Sequence, residues 1–441
     1  MKNFFFSVLI GGLVGVILGA VFMFIWARLP DMFQKTFFND IPTPTQVVES
    51  VKNKFKPASN QYIIPTIDNS ISQEGKVAYA DLGAMKISLF ENGEMKGEYP
   101  IKSVGREGTA WQTPIGQFDM SYKKENHFSS IGHVYMPWSM HFFGNYFIHG
   151  WPYYPDGTPV AEGYSGGCIR METTDAENVY TFVDRDTKLV VTTSSNPMEK
   201  QLQFNYAVAE PAPVLDSNFL IADLETGEVL DAKNQNTPVV IGSLSKVMTA
   251  LISLEVLNQY NETVLEQDIV TIADVLYALL LNDNDRAGEI LQEHKNANQY
   301  LLDMNTRAAS LGMTQTKYVD VNGNKETTVS TLEDQFKLMQ YIKWYKPFLI
   351  KVFSLSEYEN DPLLFTAIHP LKEESWYVGG ISNFENTEMM TLVTFNPSED
   401  KTDKTQEKTF IIIIQNSMDA GVDTFKLYTW MTQQVTLNQT Q

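Results

Sequence analysis

Hydrophobic and polar positions divide this chain into stretches of different period. Residues 4–26 carry no charge and are apolar nearly throughout. At 1.5 Å per residue they span about 34 Å of helix, enough to cross a hydrocarbon core. From residue 29 to 72 no period is sustained, and Pro30, Pro42, Pro44, Pro57 and Pro65 stand among polar residues, as in a spacer. Strand-like alternation begins at Lys76 with V-A-Y-A-D-L, K-I-S-L-F and M-K-G-E-Y-P-I. Asn92-Gly93 between the last two runs predicts a hairpin. Short strands follow over 116–120, 136–142, 146–149 and 189–193, with one helix over 175–183. Such a set predicts a β-sandwich or open barrel.

After a proline-containing junction at 207–214 the pattern changes. Residues 219–230 read as two strands about Thr226-Gly227, and I-G-S-L-S-K-V-M-T-A-L-I-S-L-E has helical periodicity. F-I-I-I-I at 410–414 reads as a buried central strand, and the charged 401–408 stretch before it as a solvated loop. The expected fold class is multi-domain: a transmembrane helix (1–28), a linker (29–72), an all-β domain (73–198), a second linker (199–215) and an α/β domain (216–441).

The formal net charge of −20 over 441 residues excludes nucleic acid as a partner, because a phosphate backbone requires a basic footprint. Lys2 precedes the apolar run, and Trp26 and Arg28 follow it. The run is too long for the apolar core of a signal peptide and lacks a clear cleavage site, which favours an uncleaved single-pass anchor over a cleaved leader. Gly11, Gly15 and Gly19 recur every four residues along one face of this helix, a spacing found in close-packed transmembrane pairs, so a homodimer is a further expectation.

The only cysteine, Cys168, lies in F-I-H-G-W-P-Y-Y-P-D-G-T-P-V-A-E-G-Y-S-G-G-C-I-R-M (147–171). A lone cysteine excludes an intrachain disulfide and leaves a buried small hydrophobe or a reactive thiol. A free thiol has a pKa of about 8.5 and attacks carbonyls as thiolate, so a nucleophile needs a nearby imidazole or positive field. His149 offers the first and Arg170 the second. Gly166 and Gly167 permit a sharp turn that aims the Gly167 and Cys168 N–H groups at an oxyanion. The expected geometry puts the His149 imidazole within hydrogen-bond reach of the sulfur, beside an open groove. His127, His133 and His141 also fall in this domain, but none has the i, i+4 spacing of zinc peptidases, so neither metal nor cofactor is expected.

His149-Gly150 followed by Ser165-x-Gly167-Cys168-Ile169-Arg170-Met171 resembles the signature of the L,D-transpeptidase (YkuD-type) catalytic domain, a family of cysteine acyltransferases acting on peptidoglycan. Upstream, K-I-S-L-F-E-N-G (86–93), Thr113-Pro114-Ile115-Gly116 and the stretch from Met136-Pro137-Trp138 to Ile148 resemble further parts of that domain. The resemblance implies Cys168 as nucleophile and His149 as acid and base. It places Ser165, Gly166, Gly167, Arg170 and Gly150, with Trp138 and Tyr146, on the oxyanion and substrate side. It also implies peptidoglycan stem peptides as partners and an extracytoplasmic position for the bulk of the chain. Gly166 departs from the pattern, because the family usually has histidine there.

The second domain resembles the D-alanyl-D-alanine carboxypeptidase family of penicillin-binding serine enzymes. Ser243-x-x-Lys246 matches the first motif. Asn282-Asp283-Asn284 stands where Ser-x-Asn is usual, and Ile381-Ser382-Asn383 where Lys-Thr-Gly is usual. A proton-relaying hydroxyl and a carboxylate-binding cation are therefore missing, and Ser243, Lys246, Asn282 and Asn284 are expected to form a vestigial site. The resulting expectation is a membrane-anchored L,D-transpeptidase with a silent second domain. A cell-wall scaffold without catalysis and a serine D,D-carboxypeptidase are the alternatives.

Overall fold

The computed structural model describes residues 74–193, 206–324, 327–398 and 406–437. The expected anchor, its glycine stripe and the first linker lie outside the described residues. Among those described, no helix is long and apolar enough to cross a membrane.

The first domain comprises β1 (Lys76–Asp81), β2 (Lys86–Glu91), β3 (Glu94–Ser103), β4 (Gly116–Asp119), β5 (Tyr122–Ser129), β6 (Val134–Phe143), β7 (Tyr146–His149), β8 (Ile169–Met171), α1 (Thr173–Phe182) and β9 (Lys188–Thr192). These strands form one sheet in the order β4-β9-β1-β2-β3-β8-β7-β6-β5. The β2–β3 hairpin turns at Asn92-Gly93, both at positive φ, as the dipeptide predicts. The sheet curls: Phe118 of β4 meets Phe142 and Phe143 of β6, with ring centroids 5.3 and 5.5 Å apart. Strands from opposite ends of the order thus enclose a common core. β5, Y-K-K-E-N-H-F-S, is an edge strand that alternates between exposed and half-buried positions. Apart from Tyr122 and Phe128, both exposed, its residues are polar or charged, which explains why hydrophobic patterning does not announce it.

The second domain opens with β10 (Tyr206–Val208), β11 (Asn218–Asp223), β12 (Val229–Lys233), β13 (Val239–Val240) and α2 (Ser245–Val256). It continues through β14 (Glu262–Leu265), β15 (Asp268–Thr271), α3 (Ile272–Leu281), α4 (Asp285–Glu293), α5 (Ala297–Ser310), β16 (Val329–Ser330), α6 (Leu332–Tyr345), α7 (Pro347–Phe353), β17 (Glu357–Asn360) and β18 (Leu363–Thr366). It closes with β19 (Tyr377–Ser382), β20 (Met389–Phe395), β21 (Lys408–Gln415), α8 (Ala420–Gln434) and β22 (Val435–Leu437). The main sheet has the order β12-β11-β21-β20-β19, so the isoleucine run of β21 is central, as its continuous apolar character predicts. β10 pairs with β22, which makes part of the expected 199–215 linker a strand of the second domain.

Every residue of α2 is buried. A helix enclosed on all sides is apolar all round unless its polar groups find partners. Lys246 and Glu255 are the charged residues within it, one near each end, about 13 Å apart at 1.5 Å per residue. Each is paired, and the two pairings lead to the two candidate sites.

Candidate active sites

β7 and β8 run parallel, with Ile148 opposite Ile169 and His149 opposite Arg170. Side chains two apart on a strand share a face. This register therefore sets Phe147 and His149 beside Cys168 and Arg170. Cys168 packs against the cluster of Val134, Met136 and Phe147, and it also faces a cavity of about 120 Å³ shared with His149, Arg170, Tyr146, Asn145 and Gly166. That space equals about four water molecules, room for a reacting carbonyl but not for a whole stem peptide. Leu254, Glu255 and Leu257 of the second domain complete its wall.

His149 is buried, and its Nδ1 is 2.6 Å from the Gly150 carbonyl oxygen. A carbonyl only accepts, so Nδ1 carries the proton and Nε2 keeps the lone pair a base requires. Burial draws the imidazole down to about 4, with the Gly150 carbonyl opposing and the Arg170 charge adding to the fall. Burial pushes the Cys168 thiol up to about 11, against the pull of the Phe147 N–H and Arg170. The resting pair is therefore neutral thiol and neutral imidazole, not an ion pair. The sequence leads one to expect a hydrogen bond between thiol and imidazole; instead the thiol donates to the Asn145 carbonyl at 3.7 Å.

The turn before Cys168 is held on several sides. Gly167 has φ +101°, and a Cβ there would stand 2.2 Å from Cε1 of Tyr146, so only glycine fits. Ser165 Oγ accepts the Gly167 N–H at 3.0 Å and donates to the Cys168 carbonyl at 2.5 Å. Thr113 Oγ1 donates to the Gly167 carbonyl and accepts the Gly105 N–H, both at 2.9 Å.

In the second domain Ser243 stands just ahead of α2, and Lys246 is 1% exposed. The ammonium donates to the Asp283 carbonyl at 2.7 Å and to Asp283 Oδ1 at 2.5 Å, and it lies 2.6 Å from Asp285 Oδ1. Three acceptors match its three donors, and none is Ser243. The Glu388 carboxylate accepts the N–H groups of Gly242 at 3.0 Å and Leu244 at 3.2 Å, on either side of Ser243. Burial raises the Glu388 carboxyl to about 7, against those N–H bonds. The nucleophile's own N–H is a natural oxyanion donor in serine acyl transfer. Here an internal carboxylate takes up the N–H groups of the residues on either side of it.

Residues 75–191 match the L,D-transpeptidase catalytic domain. Residues 206–280 match the D-alanyl-D-alanine carboxypeptidase family, so the two resemblances stand in the order the motifs give. The chain is also similar to D-alanyl-D-alanine endopeptidases. That of Pseudomonas aeruginosa is 25% identical over 237 residues, 48% of this chain and 72% of that protein. That of Escherichia coli K12 is 26% identical over 156 residues, 31% of this chain and half of that protein's length. Among solved structures, cefotaxime-bound penicillin-binding protein D2 from Listeria monocytogenes is 20% identical, with a TM-score of 0.43 over 50% of this chain and 99% of that one. The chain thus combines domains of transpeptidase and peptidase type.

Within the first domain, which resembles L,D-transpeptidases, the structure redistributes several expected roles. Cys168, His149, Arg170, Tyr146 and Gly166 share the cavity. Trp138 is not among its lining residues; its ring tilts against Tyr180 of α1 with centroids 5.2 Å apart. Gly150 acts behind the imidazole through its carbonyl. Ser165 is buried and braces the turn, and the Gly167 N–H it accepts is not available to an oxyanion, which leaves the Cys168 N–H of the expected pair. At Gly166 no atom lies within 4 Å of a hypothetical Cβ, and its φ is not positive, so the backbone does not demand glycine there. In the carboxypeptidase-like domain Asn282 Nδ2 donates to the Thr366 carbonyl and Asn284 caps α4 through the Ala287 N–H, so neither side chain addresses Ser243. The residue between them, Asp283, is the one that reaches Lys246. Asp283 and Thr113 stand in the sequence only as motif positions without a site role, and Asp285, Glu388 and Asn145 carry none there; the available signal was the acidic pair Asp283 and Asp285 on either side of Asn284.

Proposed function

We propose that this chain is a membrane-anchored L,D-transpeptidase that crosslinks peptidoglycan through a cysteinyl thioester, with its bulk extracytoplasmic and its second domain silent. The observation that carries the reading is the His149 tautomer beside Cys168: one ring nitrogen is tied to a carbonyl and the other keeps its lone pair next to the thiol cavity. Because thiol and imidazole are both neutral at rest, proton transfer accompanies attack. The Cys168 proton passes to Nε2 as sulfur bonds to the carbonyl carbon between the third stem residue and the terminal D-alanine. The C–N bond then breaks, and the imidazolium protonates the departing amine. An amine of a neighbouring stem attacks the thioester, loses its proton to His149 and forms the new amide, while the leaving sulfur recovers a proton. Water in place of the amine gives hydrolysis. Muropeptide analysis of cells expressing the chain tests this: crosslinks between third residues that vanish with Cys168→Ala support it, and an unchanged profile contradicts it.

The similarity to D-alanyl-D-alanine endopeptidases favours a second reading, a serine enzyme acting through Ser243. The saturated Lys246 and the Glu388 carboxylate on the N–H groups flanking Ser243 argue against it. Penicillin labelling of Ser243 in the Cys168→Ala chain is the result that favours the serine reading.

A further inference from the structure

We infer that the carboxypeptidase-like domain is a working part of the cysteine site: its buried cations Arg307 and Lys346 hold the loop that braces the glycine turn, as positioning residues for Cys168. The inference rests on Cys168 being the nucleophile and goes beyond it by assigning roles in the other domain.

Arg307, Lys346 and Glu255 are each wholly buried as side chains. Glu255 Oε1 accepts from Arg307 Nη2 at 3.0 Å and from the Tyr341 hydroxyl at 3.1 Å, and lies 3.6 Å from Lys346 Nζ. Two cations face one carboxylate, and desolvated charge of this kind requires further partners. Those partners come from the first domain. Lys346 Nζ donates to the Gln112 carbonyl at 2.8 Å, and Arg307 Nη1 to the Ile115 carbonyl at 2.9 Å. Between these two anchored carbonyls lies Thr113, whose hydroxyl holds both Gly105 and Gly167. Gly105 has no room for a side chain, since a Cβ on it would stand 1.9 Å from the Trp111 carbonyl and 2.9 Å from Gly167 Cα. The path from Lys346 to the turn is therefore one residue long and closely packed.

A second tether reaches the thiol from the other direction. Asn145, whose carbonyl accepts the Cys168 thiol, donates its side-chain amide to the Val256 carbonyl at the end of α2 at 2.5 Å. Leu254, Glu255 and Leu257 around that helix end line the thiol cavity. Ser243 and Lys246 stand at the opposite end of α2.

Lys346→Met in the full chain tests the proposal. Removing this cation leaves Glu255 paired with Arg307, one charge against one, and the Gln112 carbonyl without its donor. The readout is the time course of Cys168 acylation by a carbapenem, followed by intact mass at several carbapenem concentrations at a temperature well below the variant's own melting temperature. The limiting acylation rate is expected to fall about tenfold or more with an unchanged half-saturating concentration. Lys346→Arg, which keeps a donor toward the Gln112 carbonyl, is expected to recover most of the rate. Acylation of Lys346→Met at the wild-type rate overturns the proposal. So does an equal slowing in both variants that follows a common loss of melting temperature. A wild-type chain that takes no carbapenem at Cys168 overturns the nucleophile reading itself, a separate outcome.

Discussion

Cys168 and Ser243 are two nucleophile-type residues in one chain, each beside a group of the kind that deprotonates nucleophiles, and their surroundings differ in what is already occupied. At Cys168 the base has one nitrogen tied to a carbonyl and the other unbonded, and the acids nearby are directed elsewhere. At Ser243 the lysine has all its donors taken by Asp283 and Asp285, and a third carboxylate caps the N–H groups in front of the helix. Motif residues survive at both places. The lone pair beside Cys168 is unfilled, whereas the ammonium near Ser243 is fully engaged, and the proposed division of labour rests on that difference.

The comparison breaks most directly at the sulfur. Cys168→Ala is expected to lower acylation by about 10⁴-fold or more, the scale of removing a nucleophile from a coupled set, read by intact mass after carbapenem treatment. His149→Gln is expected to cost about 10²- to 10⁴-fold, the range of a positioned general base. The same histidine fixes the acid limb of the wild-type profile. As pH falls through about 4, Nε2 gains a proton and the base is lost, so kcat/KM declines below that value and stays level from there through neutrality. A limb near the ordinary histidine value of about 6.5 contradicts the buried, neutral ring.

How the two sites were legible differs in the same way. The β2–β3 hairpin, α1, β7 and the Cys168 turn follow from local pattern: Asn92-Gly93, apolar spacing and two glycines before a lone cysteine. The docking of the domains does not, because Lys346 and Gln112 are 234 positions apart and meet through a side chain and a carbonyl. Arg307 carried a faint signal, since Tyr300, Met304 and Arg307 share the spacing of the buried face of α5, where a cation calls for a partner. Glu255 in I-S-L-E-V-L carried another. Glu388 was hidden because it lies ahead of β20, far in sequence from the helix start it caps. Asn282 and Asn284 drew attention as motif replacements while the functional contact fell to Asp283.

A moderate effect sharpens the serine side. The Glu388 carboxyl is raised to about 7 from the model-compound value of 4.5. The folded chain therefore holds that proton more tightly than the unfolded chain. Its stability contribution is complete below pH 4.5 and is lost as pH rises through about 7. The difference amounts to about 3 kcal/mol. Glu388→Gln is expected to remove this dependence, so the melting temperatures of wild type and variant diverge in favour of the variant between pH 4.5 and neutrality. Parallel curves contradict the assignment. The smallest effect is expected at Gly166→His, which restores the residue usual in the family. With open space around the Cβ, stability is expected to change by less than about 0.5 kcal/mol, measured by denaturant unfolding.

The most direct measurement offers both nucleophiles to reactive acyl donors in one sample of the full chain, a carbapenem and a penicillin in parallel, followed by intact mass and peptide mapping. One carbapenem adduct is expected, on the peptide carrying Cys168, and none from either compound on the peptide carrying Ser243. An adduct on Ser243, or a Cys168 that stays unmodified, contradicts it.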